Sequence, residues 1–238
     1  TGAFRKRDEA AKHAKGGASK VLISAPGKTE LDGDFVIGVN DDQFDPDKHH
    51  IISNASCTTN CLAPVLKVLN EEFGVEYALM NTVHAYTASQ QLLDSAQDRK
   101  RLRRSRAAGV NLIPTTTGAA KAIGLILPEL DGKVDGMAVR APIPCGSLLD
   151  LTCTLEKDAD PDKINDAMRS WSKGSMDGIL HVEEKPIVSS DIIGNTHSAI
   201  FNPRDTKVQG TRLAKVLAWY DNEWGFSSRC LDMMRKMA

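Results

Sequence analysis

The sequence lacks a long apolar run. Its 238 residues are 41% hydrophobic, but no stretch approaches the roughly 20 consecutive apolar residues that a membrane helix requires. No basic segment followed by an apolar one marks a secretory leader. The net charge of −1 gives no general attraction to nucleic acid or to an anionic membrane surface. These absences predict that the chain has no membrane partner, and they weigh against nucleic acid as a partner.

Cysteine is scarce, and its number is odd. The five cysteines stand at positions 57, 61, 145, 153 and 230, without a spacing typical of metal ligands. The sequence therefore predicts no metal site and no disulfide framework, and it favours a reducing compartment, which we expect to be the cytoplasm. Cys61 lies four residues after Cys57, on the same helical face. We interpret it as a buried neighbour rather than a resolving or metal-binding thiol.

Glycine occurs, but not in the pattern that cradles a dinucleotide. None of the 18 glycines belongs to a G-x-G-x-x-G sequence, the loop that holds a pyrophosphate between a strand and a helix. The chain also begins with Thr1 rather than Met, and it contains no internal repeat. We therefore expect the pyrophosphate-binding unit to be missing from this chain.

The most informative segment that is present spans residues 53–61, Ser-Asn-Ala-Ser-Cys-Thr-Thr-Asn-Cys. Ser and Thr side chains cap helix N-termini, and the apolar residues that follow predict a helix over 58–73, with Pro64 tolerated by a kink or local break. Cys57 then stands at or beside the helix N-terminus, where partial positive charge favours a thiolate. The alternative is a small buried cysteine at an ordinary helix start.

A short predicted strand, Asn81–Thr87, carries His84. A thiolate enzyme needs a base or cation beside its sulfur, contributed from elsewhere in the fold. A structural histidine is the alternative. Further on, Pro114–Ala120 gathers hydroxyls and backbone donors at the start of a helix, which suits an anion. Near the C-terminus, Trp219–Phe226 predicts a polar turn within an aromatic frame.

In their order along the chain, SNASCTTNC, HAYT, TTTGAAKA and WYDNEWGF resemble the motifs of phosphorylating glyceraldehyde-3-phosphate dehydrogenases. The resemblance covers essentially all 238 residues. Thr1-Gly2-Ala3-Phe4 resembles a motif well inside that family's nucleotide domain, where Thr1 would border the cofactor. The resemblance thus implies the C-terminal catalytic part of such an enzyme, with the N-terminal nucleotide-binding portion missing.

The predicted fold has two parts and a tail. Residues 1–56 are predicted to be a partial remnant of a dinucleotide-binding domain, the tail of a doubly wound parallel α/β (Rossmann) sheet, with a helix over 4–15 and strands over 21–26 and 35–40. Residues 57–219 are predicted to form an α+β catalytic domain with a mainly antiparallel sheet. Its strands are expected over 77–83, 134–140, 147–156 and 213–220, and its helices over 117–127 and 161–173. Residues 220–238 are predicted to form a C-terminal turn and helix, which the resemblance packs on the nucleotide-binding domain.

The resemblance also implies a mechanism. Cys57 attacks the aldehyde of glyceraldehyde 3-phosphate, and His84 pairs with the thiolate and accepts a proton as hydride leaves. The hydride goes to NAD or NADP, whose nicotinamide carboxamide Asn222 would hold. Inorganic phosphate then attacks the thioester on Cys57 and releases the acyl phosphate.

Two anion sites are implied. Arg140, with Thr87, would hold the substrate phosphate, and an arginine fork suits that group. A structural ion pair is the alternative role for Arg140. The residues implied for the attacking phosphate are Ser56, Thr58, Arg104, Thr117 and Gly118.

The loop over 88–107 is long, and it contains six basic residues in the eight from Arg99 to Arg106. Long loops in compact domains tend to be functional or disordered. The resemblance places this loop at the core of a homotetramer, beside a neighbouring subunit's cofactor. A solvated basic face, a preference for a 2′-phosphorylated cofactor and a nucleic-acid patch are the alternatives for its charge.

Other functions stay open at this point. A chain without the dinucleotide cradle could retain only thiol acyl-transfer or hydrolase activity, or be a non-enzymatic fragment that is stable only through tetramer contacts. Erythrose 4-phosphate as substrate is disfavoured by the intact HAYT and TTTG motifs, which support attack by phosphate. For this chain alone we expect a reactive Cys57 and weak or absent hydride transfer.

Overall fold

The computed structural model describes residues 3–95 and 102–238. The helices are α1 (Arg7–Lys15), α2 (Cys57–Phe73), α3 (Ala119–Ile126), α4 (Pro161–Lys173) and α5 (Trp224–Met237). The strands are β1 (Val21–Ile23), β2 (Gly33–Asp34), β3 (Ile51–Ser53), β4 (Val75–Ala85), β5 (Ile113–Thr116), β6 (Val134–Ala141), β7 (Ser147–Leu155), β8 (Leu180–Val182), β9 (Ala199–Phe201), β10 (Lys207–Gln209) and β11 (Leu213–Tyr220). No helix among these residues has the length and apolar character needed to cross a membrane.

The first sheet is small and parallel, with strand order β1-β3-β2. The prediction of a strand over 35–40 is wrong. The strand that pairs with β3 is β2, which ends at Asp34, and residues 37–40 form a turn. The Asn40 side chain accepts from the Val36 N–H at 2.8 Å and donates to the Asp34 carbonyl at 3.0 Å. Side chains that bond nearby main chain in this way compete with strand pairing. Phe35, Val36 and Val39 are buried without being part of a strand.

The second sheet has eight strands, in the order β5-β6-β4-β7-β11-β9-β8 with β10 paired to β11. Five of its seven strand pairings are antiparallel; β4–β6 and β8–β9 are parallel. The predicted α+β class with a mainly antiparallel sheet is therefore confirmed. The four predicted strands correspond to β4, β6, β7 and β11. The short strands β8, β9 and β10 have three residues each, too few for a periodic signal.

Helix α2 is buried against the inner face of the large sheet. Leu62, Leu66 and Leu69 of α2 are fully buried in one cluster with Leu149 and Leu151 of β7. The α-helix continues through Pro64, so the proline causes no break. The N-terminus of α2 lies beside both sheets, because three residues separate it from β3 and Cys57 contacts His84 of β4.

Helix α5 returns to the first sheet. Met233 and Met237 pack with Phe35, Phe44 and Ile52 in a separate apolar cluster. The predicted domain boundaries, between residues 56 and 57 and between residues 219 and 220, stay predictions. The structure shows that α5 packs on the β1-β3-β2 sheet.

Candidate active site

Cys57 is the first residue of α2, as its capping residues predicted. Ser56 is the N-cap, and its Oγ accepts from the Thr59 N–H at 3.0 Å. The preceding residue, Ala55, has a φ of +54° and is fully buried. A non-glycine residue in this left-handed region costs on the order of 1 kcal/mol. The strand-to-helix turn before Cys57 is therefore held in a strained conformation by its surroundings.

Asn60, one turn into α2, ties this turn together. Its Nδ2 donates to the Asn54 carbonyl at 2.8 Å and to the Ser56 carbonyl at 3.0 Å. The two carbonyls flank Ala55, so a single side chain spans the strained residue. The main chain that presents Cys57 is thereby fixed relative to the helix axis.

The imidazole predicted to serve Cys57 does lie beside it. The Sγ of Cys57 is 3.4 Å from Nε2 of His84, which stands near the end of β4. In the parallel β4–β6 pair, His84 is in register with Arg140. The parallel strands β4 and β6 thus place the imidazole beside the guanidinium, and the start of α2 brings the thiol to the imidazole.

The other ring nitrogen of His84 contacts main chain and guanidinium together. Nδ1 is 2.7 Å from the carbonyl oxygen of Ala85, and the Nη1 of Arg140 is 2.9 Å from the same Nδ1. Nη1 also donates to the Ala85 carbonyl at 2.8 Å and to Thr87 Oγ1 at 3.4 Å. Because the Ala85 carbonyl oxygen can only accept a hydrogen bond, we assign the proton of the neutral imidazole to Nδ1. Nε2 then presents its lone pair to the thiol.

Burial makes the thiol and imidazole a neutral pair. Burial first, and the Arg140 charge second, lower the pKa of His84 to about 4. Burial raises the pKa of Cys57, against the lowering effects of the Thr58 N–H and of Arg140. The expected lowering of the thiol pKa by the helix terminus is therefore outweighed. A thiolate forms here when His84 takes the proton, rather than standing preformed.

A cavity of about 250 Å³ opens onto Cys57 and is called the Cys57 cavity. It brings together eight of the residues predicted for the site: Ser56, Cys57, Thr58, His84, Arg104, Thr117, Gly118 and Arg140. Thr87 is outside the wall but in contact with Arg140. Arg104 enters from the loop after residue 101, with its Nε on Thr115 Oγ1 at 2.8 Å.

Neither of the two residues predicted to contact a cofactor is found in the wall of the Cys57 cavity among the described residues. Thr1 lies outside the described residues. Asn222 is buried outside the wall of the Cys57 cavity, and its Oδ1 accepts from Ser147 Oγ at 2.9 Å. Its Nδ2 makes no hydrogen bond within residues 3–95 and 102–238. Arg99, Lys100 and Arg101 of the basic run also lie outside the described residues.

Tyr220 and Arg5 are among the residues at the site that sequence reasoning missed. Tyr220 is buried, and its hydroxyl bonds Thr58 Oγ1 at 2.9 Å and Thr82 Oγ1 at 2.7 Å. Its position within the WYDNEWGF motif could have identified it. Arg5 lines the Cys57 cavity, and no motif contains it. Cys61 is fully buried, as predicted, and all five thiols are free.

The comparisons with known proteins agree with the motifs. The family model described as glyceraldehyde 3-phosphate dehydrogenase, C-terminal domain, matches residues 56–222. The chain is 53% identical over 238 residues to glyceraldehyde-3-phosphate dehydrogenase 2 of Bacillus subtilis, spanning 100% of this chain and 69% of that protein. It is 51% identical to glyceraldehyde-3-phosphate dehydrogenase of Geobacillus stearothermophilus, over 100% of this chain and 70% of that protein. The chain belongs to the glyceraldehyde-3-phosphate dehydrogenase family and corresponds to its C-terminal part.

Proposed function

We propose that this chain is the catalytic part of a phosphorylating aldehyde dehydrogenase. The reaction converts glyceraldehyde 3-phosphate, inorganic phosphate and NAD or NADP to 1,3-bisphosphoglycerate through a thioester on Cys57. The observation that carries the proposal is the 3.4 Å contact between Cys57 Sγ and His84 Nε2, within a cavity that three arginines also line.

The first step forms a thiohemiacetal. Cys57 Sγ bonds to the aldehyde carbon while His84 Nε2 takes the thiol proton and passes it to the carbonyl oxygen. The N–H of Cys57, at the start of α2, is free of helical bonding and suits the developing oxyanion. Because His84 is neutral before the reaction, it has the protonation state that a general base needs.

The substrate phosphate is assigned to Arg140 and Thr87. The Nη1 of Arg140 is held by the Ala85 carbonyl and Thr87 Oγ1, and the residue lines the cavity. Its Nε is buried without a hydrogen bond among residues 3–95 and 102–238. A planar guanidinium binds a phosphate dianion through paired donors. The same dianion would raise the pKa of His84 by offsetting the charge of Arg140.

Oxidation requires a nicotinamide. Asn222 fits that group, because its buried side chain is oriented by Ser147 and keeps an unbonded amide donor for a carboxamide oxygen. The bound nicotinamide supplies a hydride acceptor. His84 takes the hydroxyl proton of the thiohemiacetal in this step, which leaves the thioester on Cys57.

Phosphorolysis completes the cycle. Arg104, Thr117 and Gly118 meet at the opening of α3, where backbone donors and hydroxyls suit an oxyanion. A phosphate oxygen attacks the thioester carbonyl, the Cys57 thiolate leaves, and the proton on His84 returns to sulfur. The erythrose 4-phosphate alternative is disfavoured by this set of anion-binding groups.

The proposal is tested by mixing the protein with glyceraldehyde 3-phosphate, phosphate and NAD or NADP. With this chain alone we expect weak or absent reduction of the nicotinamide. When a nucleotide-binding piece complements the chain, reduced nicotinamide and a hydroxylamine-trapped acyl phosphate are both expected, and both are lost in C57S. Acyl phosphate formation that survives in C57S would contradict the thioester route.

A second function is favoured by one observation: the thiol, the imidazole and the anion-binding groups all belong to this chain. Such a site can cleave acyl phosphates or activated esters without redox chemistry. Cleavage of acetyl phosphate without NAD, lost in C57S and unaccompanied by any hydride transfer when NAD is added, would favour this function over the first. Thiol reactivity no greater than that of an exposed cysteine would instead support a non-enzymatic fragment.

Assembly into a homotetramer is also proposed. Tyr77 and Leu79 on β4 and Met137 on β6 are exposed on the face of the large sheet opposite α2. Exposed apolar patches of this kind suit a second copy of the chain. Light scattering is expected to give a mass above that of a monomer, reduced by L79E. A cytoplasmic location is proposed on the five free thiols.

A further inference from the structure

Arg5 belongs to the walls of two cavities at once. It lines the Cys57 cavity and also a larger cleft of about 760 Å³, called the Arg103 cleft. The other residues that line the Arg103 cleft are Leu102, Arg103, Arg104, Pro114, Thr115, Thr116, Gly118, Gly136 and Met137. Arg104, Thr116 and Gly118 are also shared between the two cavities, so the cavities are adjacent spaces with a common wall.

The main chain holds Arg5 in this wall. Its Nε and Nη2 both donate to the Pro26 carbonyl, at 2.8 and 2.6 Å. Its own carbonyl accepts from the Lys28 N–H at 2.9 Å. The Nη1 group makes no hydrogen bond within residues 3–95 and 102–238. One edge of the guanidinium is thus anchored, and the remaining N–H groups are available to a ligand.

The charge of the two cavities is of one sign. Arg5, Arg103, Arg104 and Arg140 line them, and none of the described lining residues is Asp or Glu. The whole chain, by contrast, has 31 acidic residues against 30 lysines and arginines. A cleft lined by charges of one sign concentrates counter-ions and raises association rates by roughly 10- to 1,000-fold.

We propose that Arg5, with Arg103 and Arg104, forms an entry site through which inorganic phosphate reaches the Cys57 cavity. The inference rests on the proposed function, since only phosphorolysis needs a free oxyanion beside Cys57. The hydroxyls of Thr115 and Thr116 continue the row of donors toward Thr117 and Gly118. No aromatic side chain among the described residues lines the Arg103 cleft, so it lacks a stacking surface for a nucleotide base.

The test compares two alkylating reagents on Cys57, iodoacetate and iodoacetamide, which differ in one negative charge. In R5Q the rate with iodoacetate, divided by the rate with iodoacetamide, is expected to fall roughly three- to tenfold. The iodoacetamide rate should stay within about twofold, which also reports an intact site. Half-protection of Cys57 by inorganic phosphate is expected to need at least about fivefold more phosphate.

R7Q is the matched control. Arg7 lies two residues away, is outside both cavities and pairs with Asp32 at 2.6 Å, so R7Q makes the same charge change without altering the wall. R5K, which keeps the charge, should retain most of the wild-type rate ratio. Equal rate ratios in R5Q and R7Q would overturn the inference.

Protection by adenosine 2′,5′-bisphosphate at far lower concentration than by phosphate, lost in R5Q, would also overturn it in favour of a cofactor phosphate. These measurements need no hydride transfer. The alkylation rates can therefore contradict the entry site while acyl phosphate formation supports the proposed function. They can equally support the entry site while acyl phosphate formation fails.

Discussion

Arg140 Nη1 lies 2.9 Å from His84 Nδ1, and both groups contact the carbonyl oxygen of Ala85. The guanidinium lines the cavity, where we propose that it binds phosphate, and its charge helps to keep the imidazole neutral. An incoming phosphate dianion opposes that charge. Under the proposed function, this contact would couple binding of the substrate phosphate to the basicity of His84.

Replacing His84 with Asn should slow alkylation of Cys57 by iodoacetamide at neutral pH by at least about tenfold, since the half-buried thiol loses its proton acceptor. The rate constant for loss of the Cys57 thiol, followed by mass spectrometry, measures this effect. H181N, at a half-exposed histidine outside the cavity, should react like the unmodified chain. An unchanged rate in H84N would mean that His84 is structural.

Replacing Arg140 with Ala should impair handling of the phosphorylated aldehyde far more than that of glyceraldehyde, because only the former presents a dianion. The concentration of each aldehyde that half-protects Cys57 from alkylation should rise roughly 100-fold for glyceraldehyde 3-phosphate and less than about fivefold for glyceraldehyde. An equal rise in the half-protecting concentration of both aldehydes would assign Arg140 a structural role.

The stability of the chain should depend on pH through His84. The pKa of His84 is about 4 in the folded chain, against an ordinary value of 6.5. Between these values the unfolded chain binds a proton that the folded chain does not, so stability falls as pH falls through this window. Near pH 4.5 the contribution amounts to roughly 2 to 3 kcal/mol.

Urea unfolding of the unmodified chain and of H84N, each at neutral pH and near the lower end of the window, measures this contribution. The unmodified chain should lose more stability on acidification than H84N does, by that amount. Parallel losses in both proteins would show that His84 titrates with its ordinary pKa.

Replacing Tyr220 with Phe should destabilise the chain by about 1 to 3 kcal/mol, because the buried hydroxyls of Thr58 and Thr82 lose their shared partner. Urea unfolding measures the change. Y77F removes the hydroxyl from a tyrosine that is 69% exposed, and should leave stability within about 0.5 kcal/mol. Equal effects in the two variants would contradict the buried bridge.

Local patterns predicted most of the elements that position the site. The caps around Ser56 placed the start of α2, and the longer strands of the large sheet were found from their apolar pattern. The strand over 35–40 was mispredicted because apolar content alone cannot distinguish a buried turn from a buried strand. The decisive contact there is the Asn40 side chain, which bonds the main chain four residues away.

The sequence by itself determined the chemistry available to this protein: a cysteine at a capped helix start, a histidine in a strand, and arginines and threonines in recognisable motifs. These are local properties, because caps and periodicity act within a few residues. The tertiary structure decided that His84 and Arg140 meet, since 56 positions separate them and only the register of β4 and β6 joins them. It likewise decided that burial keeps the thiol–imidazole pair neutral and that Arg5 enters the cavity wall, because burial and main-chain anchoring exist only once distant segments pack.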